Sequence, residues 1–91
     1  MNSSRAPVDF TELVDRRRGS VRARGHLTVQ AADLLRGTVM VLRCTGHRRV
    51  VLDLGEVDGA DEGGLATLEA VRAAVAEDGG TLLVLGDPRG R

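Results

Sequence analysis

The chain has 91 residues, enough for one small domain, and 42% of them are hydrophobic, which is enough for a core. Its 13 basic residues, all of them arginine, balance 13 acidic ones, so the formal net charge is zero. That balance argues against general binding to nucleic acid or to a membrane surface, which needs a basic excess.

Other features of the composition bear on where the protein works. A single cysteine, Cys44, excludes an internal disulfide and fits a reducing compartment. No stretch approaches the roughly 20 apolar residues of a membrane span, and residues 1–5 lead into no signal-peptide core. The absence of lysine and isoleucine is typical of a GC-rich bacterial coding sequence. We therefore expect a cytoplasmic bacterial protein without a membrane span.

The first third of the chain predicts two strands joined by a turn. Residues 8–14 carry apolar side chains at positions typical of a strand, and the basic run 16–18 before Gly19 indicates a solvated turn. From Ser20 to Leu27, small apolar residues alternate with charged ones, which is the period of an antiparallel strand with one exposed face. The basic run is a weak nucleic-acid signal, because no aromatic residue is interleaved with it.

A helix and a third strand are predicted next. Thr28 can cap the helix, because its hydroxyl can accept a hydrogen bond from a free amide of the first turn. Apolar residues then recur at helical spacing as far as Leu42, with Leu34 widening the stripe, and Gly46 supplies a glycine stop. The apolar run 50–54 lacks alternation, which indicates a strand that is covered on both faces or lies at the sheet centre.

The last third predicts a second helix and a fourth strand. Apolar residues three or four apart, from Leu65 to Val75, form one stripe, and Asp78-Gly79-Gly80 ends the helix. Residues 81–85 form a further apolar strand. The order β-β-α-β-α-β predicts a small α/β domain whose later strands are parallel. The expected bounds are 8–88 for the single domain, with 1–7 and 89–91 as flexible ends.

An acidic, glycine-rich segment connects the third strand to the second helix, a place where α/β domains carry recognition loops. Asp61 is placed to cap the helix, and Glu62 in the first turn faces the positive end of the helix dipole. An ordinary capped helix does not account for Gly63 and Gly64, because each costs up to about 1 kcal/mol against alanine. Residues without side chains let another backbone approach closely, so a docking site for a partner is the favoured interpretation.

The carboxylates of this segment also raise the question of catalysis. They could hold magnesium in principle, and Asp53 followed by Asp58 looks superficially like the phospho-acceptor strand of a receiver domain. That family needs a late lysine, and the chain has none. His26 and His47, expected on the surface at strand edges, are too few for a zinc site, and Cys44 is expected to be a buried structural thiol. We expect no enzymatic activity, no metal and no cofactor.

Several stretches closely resemble the STAS domain, found in anti-sigma factor antagonists and in the tails of anion transporters. They are the strand 50–54 with Val57, the pattern Asp61-x-x-Gly64-Leu65 with Leu68, the last strand 81–85, and Gly25-His26-Leu27-Thr28, which is similar to the family's Gly-Glu-Leu-Asp turn. The resemblance implies a mixed sheet with helices packed on one face, and a binding module rather than an enzyme. The family usually continues into a C-terminal helix, which we expect to be lacking here. A partner or a second copy, as in a homodimer, is then expected to cover the apolar surface.

The resemblance also implies a switch that this chain has altered. In the antagonists the loop reads Asp-Ser-Ser-Gly, and its first serine is phosphorylated by a kinase that is also the anti-sigma factor; the phosphate breaks the complex. Here Glu62 and Gly63 stand at the two serine positions. A glutamate carries about one negative charge, against roughly −1.5 to −2 for phosphoserine. Glu62 is therefore predicted to be a permanent partial mimic of the phosphorylated state.

The function implied by the resemblance is a regulatory module that binds an anti-sigma factor or a kinase-like ATPase. Two alternatives stay open: a small subunit of an ABC-type transport complex, and a degenerate scaffold that has lost its partner loop. The partner-binding residues expected from the motif are Thr28, Asp58, Asp61, Glu62, Gly63, Gly64 and Leu65.

Overall fold

The computed structural model describes residues 10–87, which form a four-stranded sheet with two helices. In chain order the elements are β1 Phe10–Asp15, β2 Ser20–Leu27, α1 Val29–Cys44, β3 Arg49–Ala60, α2 Glu62–Glu77 and β4 Thr81–Leu85. The predicted α/β class and the order β-β-α-β-α-β are confirmed. The predicted flexible ends and both limits of the predicted domain lie outside the described residues. The expectation that no C-terminal helix follows β4 stays a prediction.

The sheet has the order β1-β2-β3-β4 and is mixed. β1 runs antiparallel to β2, whereas β2, β3 and β4 are parallel to one another. The basic turn 16–18 joins the antiparallel pair, and the carboxylate of Asp15 holds it by accepting from the amides of Arg17 and Arg18. Each parallel pair needs a crossover connection, and α1 and α2 supply the two. Both helices therefore begin at the edge of the sheet where the parallel strands end.

β3 lies between β2 and β4 and is longer than the predicted run 50–54. It continues to Ala60 because its second half keeps pairing with the end of β2 across two register shifts. Within the predicted run, every second side chain is buried and those between are half-buried. The strand is thus inside the sheet, as predicted, but the alternative of cover on both faces is wrong for the described residues, because both of their helices pack on the same face.

The core lies between the sheet and the two helices. The largest side chains with less than 2% exposure are Leu27, Leu35, Leu42, Leu52, Leu54, Val21, Val39 and Val50. Leu34, which was predicted to widen the apolar stripe of α1, is instead 47% exposed. No polar or charged side chain is buried between residues 10 and 87. Burial of apolar area, worth about 25 cal/mol per Å², therefore holds the layers together without a buried polar network.

The opposite face of the sheet is charged and open. Arg22 on β2 pairs with Asp53 on β3 at 3.8 Å, and Arg24 pairs with Glu56 at 3.3 Å. The predicted charged face of β2 is thereby confirmed, and its charges are balanced by the neighbouring strand. All four side chains are well exposed, so each pair contributes no more than about 1 kcal/mol. The apolar side chains exposed on this face are Leu13, Leu83 and Leu85.

Candidate functional site

The predicted site residues meet where β2 and β3 end and where α1 and α2 begin. In the parallel register Leu27 lies opposite Ala60, and the amide of Asp61 donates to the carbonyl oxygen of Leu27 at 3.0 Å. This bond joins the β2–α1 junction to the β3–α2 junction. The segment expected to be a loop is short, because β3 runs to Ala60 and α2 starts at Glu62, so that Asp61 alone separates them.

The two predicted caps behave differently. Thr28 caps α1, since its hydroxyl oxygen accepts from the amide of Ala31 at 3.1 Å. Asp61 occupies the N-cap position of α2 but makes no side-chain capping bond. Its carboxylate bonds instead to His26, with 3.1 Å between Oδ1 and Nε2. The hydroxyl of Thr28 therefore bonds within α1, whereas the carboxylate of Asp61 bonds to a side chain of β2.

His26 is a site residue that the sequence reasoning missed, because it was expected to be an ordinary surface residue. Its Nδ1 lies 3.9 Å from a carboxylate oxygen of Asp58, on the side of the ring opposite to Asp61. The ring also lies over Gly59, where an added β-carbon would come within 3.0 Å of it. The parallel register of β2 and β3 places these residues together. No spacing within the sequence carries that signal.

Gly63 and Gly64 have a neighbour within the chain itself. A β-carbon on Gly64 would lie 3.0 Å from the carbonyl carbon of Leu27 and closer still to its oxygen. A β-carbon on Gly63 would lie 2.6 Å from a methyl group of Val29. The close approach that the sequence argument attributed to a partner is therefore made by the chain's own β2–α1 junction. Whether they also contact a partner stays a prediction.

The residues left for an outside partner are acidic. Asp58, Asp61 and Glu62 are exposed, and Leu65 beside them is half-buried. In the part of the chain that the structure describes, Glu62 forms no hydrogen bond or ion pair. It lies in the first turn of α2, where the unpaired amides and the helix dipole favour a negative charge by about 0.3–1 kcal/mol.

An apolar groove lies between α1 and α2, beyond the first turn of α2. It has a volume of about 270 Å³ and reaches Thr67, one helical turn after Gly63. Met40, which forms part of its wall, is 48% exposed. The groove offers apolar contact area to anything that binds the first turns of α2. Its lining residues are Arg36, Met40, Thr67, Ala70, Val71 and Ala74.

Three further expectations concern the burial of Cys44, metal binding and membrane crossing. Cys44, predicted to be buried, is exposed at the end of α1. Among residues 10–87, no group of three or more histidine, cysteine or acidic side chains is arranged to hold a metal ion. Within the same range, neither 16-residue helix has the length and apolar character needed to cross a membrane.

The sequence matches the model of one known protein family. The family model of the STAS domain matches residues 11–89, which is most of the chain. The chain belongs to the STAS domain family. STAS domains mediate protein–protein interactions and are generally binding modules without enzymatic activity; the family includes anti-sigma factor antagonists and domains of transporters. Comparisons with curated proteins and with solved structures give no match.

The packing of Gly64 yields a stability prediction. Gly64→Ala should lower the free energy of unfolding by at least about 1 kcal/mol, because the new methyl group must displace the backbone of Leu27. Gly37→Ala is the matched control: Gly37 is exposed inside α1 and has nothing within 4 Å of an added β-carbon. That change should stabilise the chain by up to about 1 kcal/mol. Urea denaturation of both variants measures the difference, and equal midpoints would contradict the packing.

The contacts of His26 yield a prediction about local order. His26→Ala should speed amide hydrogen exchange in residues 57–62, because the side chain that joins β2 to Asp61 and Asp58 is removed. His47→Ala is the control, since Nε2 of His47 bonds to the carbonyl oxygen of Arg16 at 2.7 Å, in a different turn. Its effect should fall on residues 15–19 instead. Mass spectrometry of exchanged peptides locates each effect, and unchanged exchange over 57–62 in His26→Ala would refute the assignment.

Proposed function

We propose that this STAS domain is a regulatory binding module that docks an anti-sigma factor or a kinase-like ATPase through the acidic start of α2. The observation that carries the proposal is the position of Glu62. It stands where the family's antagonists have their phosphorylated serine, it is exposed, and it forms no ion pair with the residues that the structure describes. Asp58 and Asp61 add charge on either side of the β3–α2 junction.

The proposed module differs from the antagonists in how it is regulated. The segment 58–65 contains no hydroxyl group, and the nearest one along α2, on Thr67, is half-buried at the end of the apolar groove. A kinase that reads this loop in relatives therefore has no acceptor at the same place. The negative charge of Glu62 is permanent, so we infer that docking responds to the amount of each protein rather than to phosphorylation of this loop. A phosphate breaks the complex in the antagonists, whereas the smaller charge of Glu62 is proposed here to form an ion pair with the partner. The docking proposal therefore departs from the expectation that Glu62 mimics the released, phosphorylated state.

The groove between α1 and α2 supports a protein partner over a small molecule. It begins beyond the acidic first turn and follows α2 from Thr67 to Ala74. A partner surface that places basic side chains against Glu62 can at the same time cover Met40 and the alanines of α2. This combination of an apolar patch with a polar rim is typical of protein–protein interfaces.

The transporter alternative rests on family membership alone, since transporters also carry STAS domains. Gene neighbourhood separates the two: genes for a sigma factor and an anti-sigma factor favour the proposal, whereas genes for a permease and an ATPase favour the alternative. The degenerate-scaffold alternative predicts that no partner depends on Glu62.

Charge reversal at Glu62 tests the docking surface. In affinity purification from the parent cells, the wild-type chain should retain an anti-sigma factor or kinase-like ATPase, identified by mass spectrometry. Glu62→Lys should weaken the purified complex about tenfold or more, which corresponds to roughly 1.4 kcal/mol. Glu69→Lys is the control, because Glu69 is exposed two turns further along α2 and, among residues 10–87, forms an ion pair with Arg72 alone. Equal binding by both variants would exclude the 58–65 segment as the docking site.

Restoring a hydroxyl tests the proposed regulation. Incubated with the identified kinase and labelled ATP, Glu62→Ser should take up phosphate at residue 62, because the family's acceptor has been rebuilt. The wild-type chain and Glu62→Ala should take up none in the first two turns of α2. Phosphate on Thr67 of the wild-type chain would show that regulation by phosphorylation has moved rather than been lost.

A further inference from the structure

The zero net charge conceals a separation of charge along the strands. β2, β3 and β4 run in one direction and both helices run back, so the chain has two distinct ends. One end holds the turns that precede the parallel strands, and the other holds the junctions that follow β2 and β3. We call the first the basic end, formed by residues 15–20, 43–49 and 77–80, where six arginines outnumber Asp15, Glu77 and Asp78. We call the second the acidic end, formed by residues 56–62.

Two turns of the basic end, 15–20 and 45–49, are fixed to each other. The ring of His47 bonds to the backbone of Arg16 at 2.7 Å between Nε2 and the carbonyl oxygen. It also fills the space beside Gly19, where a β-carbon would lie 2.6 Å from Nδ1. The carbonyl oxygen of Gly19 in turn accepts from the amide of Val51 at 3.0 Å. The two turns therefore present their side chains as one surface.

Four arginines of this end are unpaired. Arg18 and Arg43 form ion pairs with Asp15 and Asp78. The others are exposed, and their guanidinium groups form no ion pair with a carboxylate between residues 10 and 87. A planar guanidinium with an unused set of donors fits a carboxylate in a two-bond arrangement better than an ammonium does. These unpaired side chains are Arg16, Arg17, Arg48 and Arg49.

The acidic end has an excess of negative charge that complements the unpaired arginines. Glu56 is paired with Arg24 at 3.3 Å, but Glu62 has no partner in the described chain, and Asp58 and Asp61 share the single imidazole of His26. β3 spans both ends, and its 12 residues rise by about 3.3 Å each, so the separation approaches the 36 Å length of the molecule. Because this exceeds the Debye length of about 8 Å at physiological salt, the two ends cannot neutralise each other within one molecule.

We propose that the basic end of one copy docks head to tail on the acidic end of a second copy. The two surfaces match in charge, and a net charge near zero leaves no overall repulsion to keep copies apart. A nucleic acid fits the basic end less well, because the one aromatic residue, Phe10, is buried and cannot stack on a base. Head-to-tail contacts leave a free end on each side, so they produce rows or rings rather than a closed two-fold dimer.

Such assembly would regulate the proposed binding of a partner, and this regulatory role rests on the proposed function. The acidic end contains Asp58, Asp61 and Glu62, the residues proposed to dock the partner. A copy whose acidic end is covered by another copy cannot bind a partner there, so partner and self-association compete. The self-association itself does not depend on the identity or existence of the partner, and the experiment below uses the chain alone.

Sedimentation velocity over a range of chain and salt concentrations tests the proposal. The screening length falls from about 30 Å at 0.01 M salt to about 3 Å at 1 M, so association should be present at low salt and lost at high salt. Arg17→Glu with Arg48→Glu should weaken association at least tenfold. Arg36→Glu with Arg72→Glu is the matched control, because it makes the same change in net charge on the helices and should weaken association distinctly less.

A charge swap completes the test. The double variant Asp58→Arg/Glu62→Arg should also be monomeric on its own. Its equimolar mixture with the double variant Arg17→Glu/Arg48→Glu should associate again, because the reversed end of each variant then meets an end of opposite charge on the other. Circular dichroism establishes that each variant is folded. A wild-type chain that stays monomeric at low salt, basic-end and control variants that associate equally, or a swapped mixture that stays monomeric would each overturn the proposal. Monomers throughout would leave the basic end to another acidic partner.

Discussion

The bond between the Asp61 amide and the Leu27 carbonyl is the constraint on which the rest of the site depends. It ties the end of β2 to the start of α2 across the parallel pair, and it brings the backbone of the β2–α1 junction against Gly64. A side chain at that position would separate the two junctions. Because they stay in contact, the caps, the imidazole of His26 and the exposed carboxylates all occupy one small surface at the end of the sheet.

That constraint changes the meaning of the glycines in the family motif. The sequence Asp-Glu-Gly-Gly at the start of a helix predicts close contact with a partner protein. In the structure, its two glycines instead pack against the chain's own backbone and a valine methyl group. The side chains of Asp58, Asp61 and Glu62 stay exposed beside this packing. The fold thus fixes where the helix begins, and the exposed acids determine what kind of surface can approach it.

Much of the fold could be predicted from the sequence because its signals are local. Period-two alternation in β2, helical spacing from Leu65 to Val75 and glycine stops each depend on neighbours a few residues away. The failures concern contacts between distant parts of the chain. His26 and Asp61 are 35 residues apart, and only the register of two parallel strands joins them. Cys44 and Leu34 were expected to be buried because they are apolar, but a two-layer fold covers only one side of α1.

The local structure of the candidate site differs from the predicted one, and its role as a docking site stays a prediction. The sequence indicates a loop from Asp58 to Leu65, whereas β3 continues almost to the first residue of α2. Strand pairing through the register shifts cannot be read from an apolar run that ends at Leu54, because the continuation consists of small and charged residues. The structure therefore has paired backbone as far as Ala60, where the sequence predicts a loop.

The register shifts of β3 have a consequence for how the surface can change over time. Between Arg22 and Leu27 of β2, the partner strand runs from Asp53 to Ala60, so β3 carries two more residues than its neighbour over that stretch. Each surplus residue reverses the face to which the following side chains point. Glu56 consequently points away from the core, although it continues the alternation of Leu52 and Leu54. Loss or gain of one residue here would exchange buried and displayed side chains, so the length of this strand itself decides which side chains the surface carries.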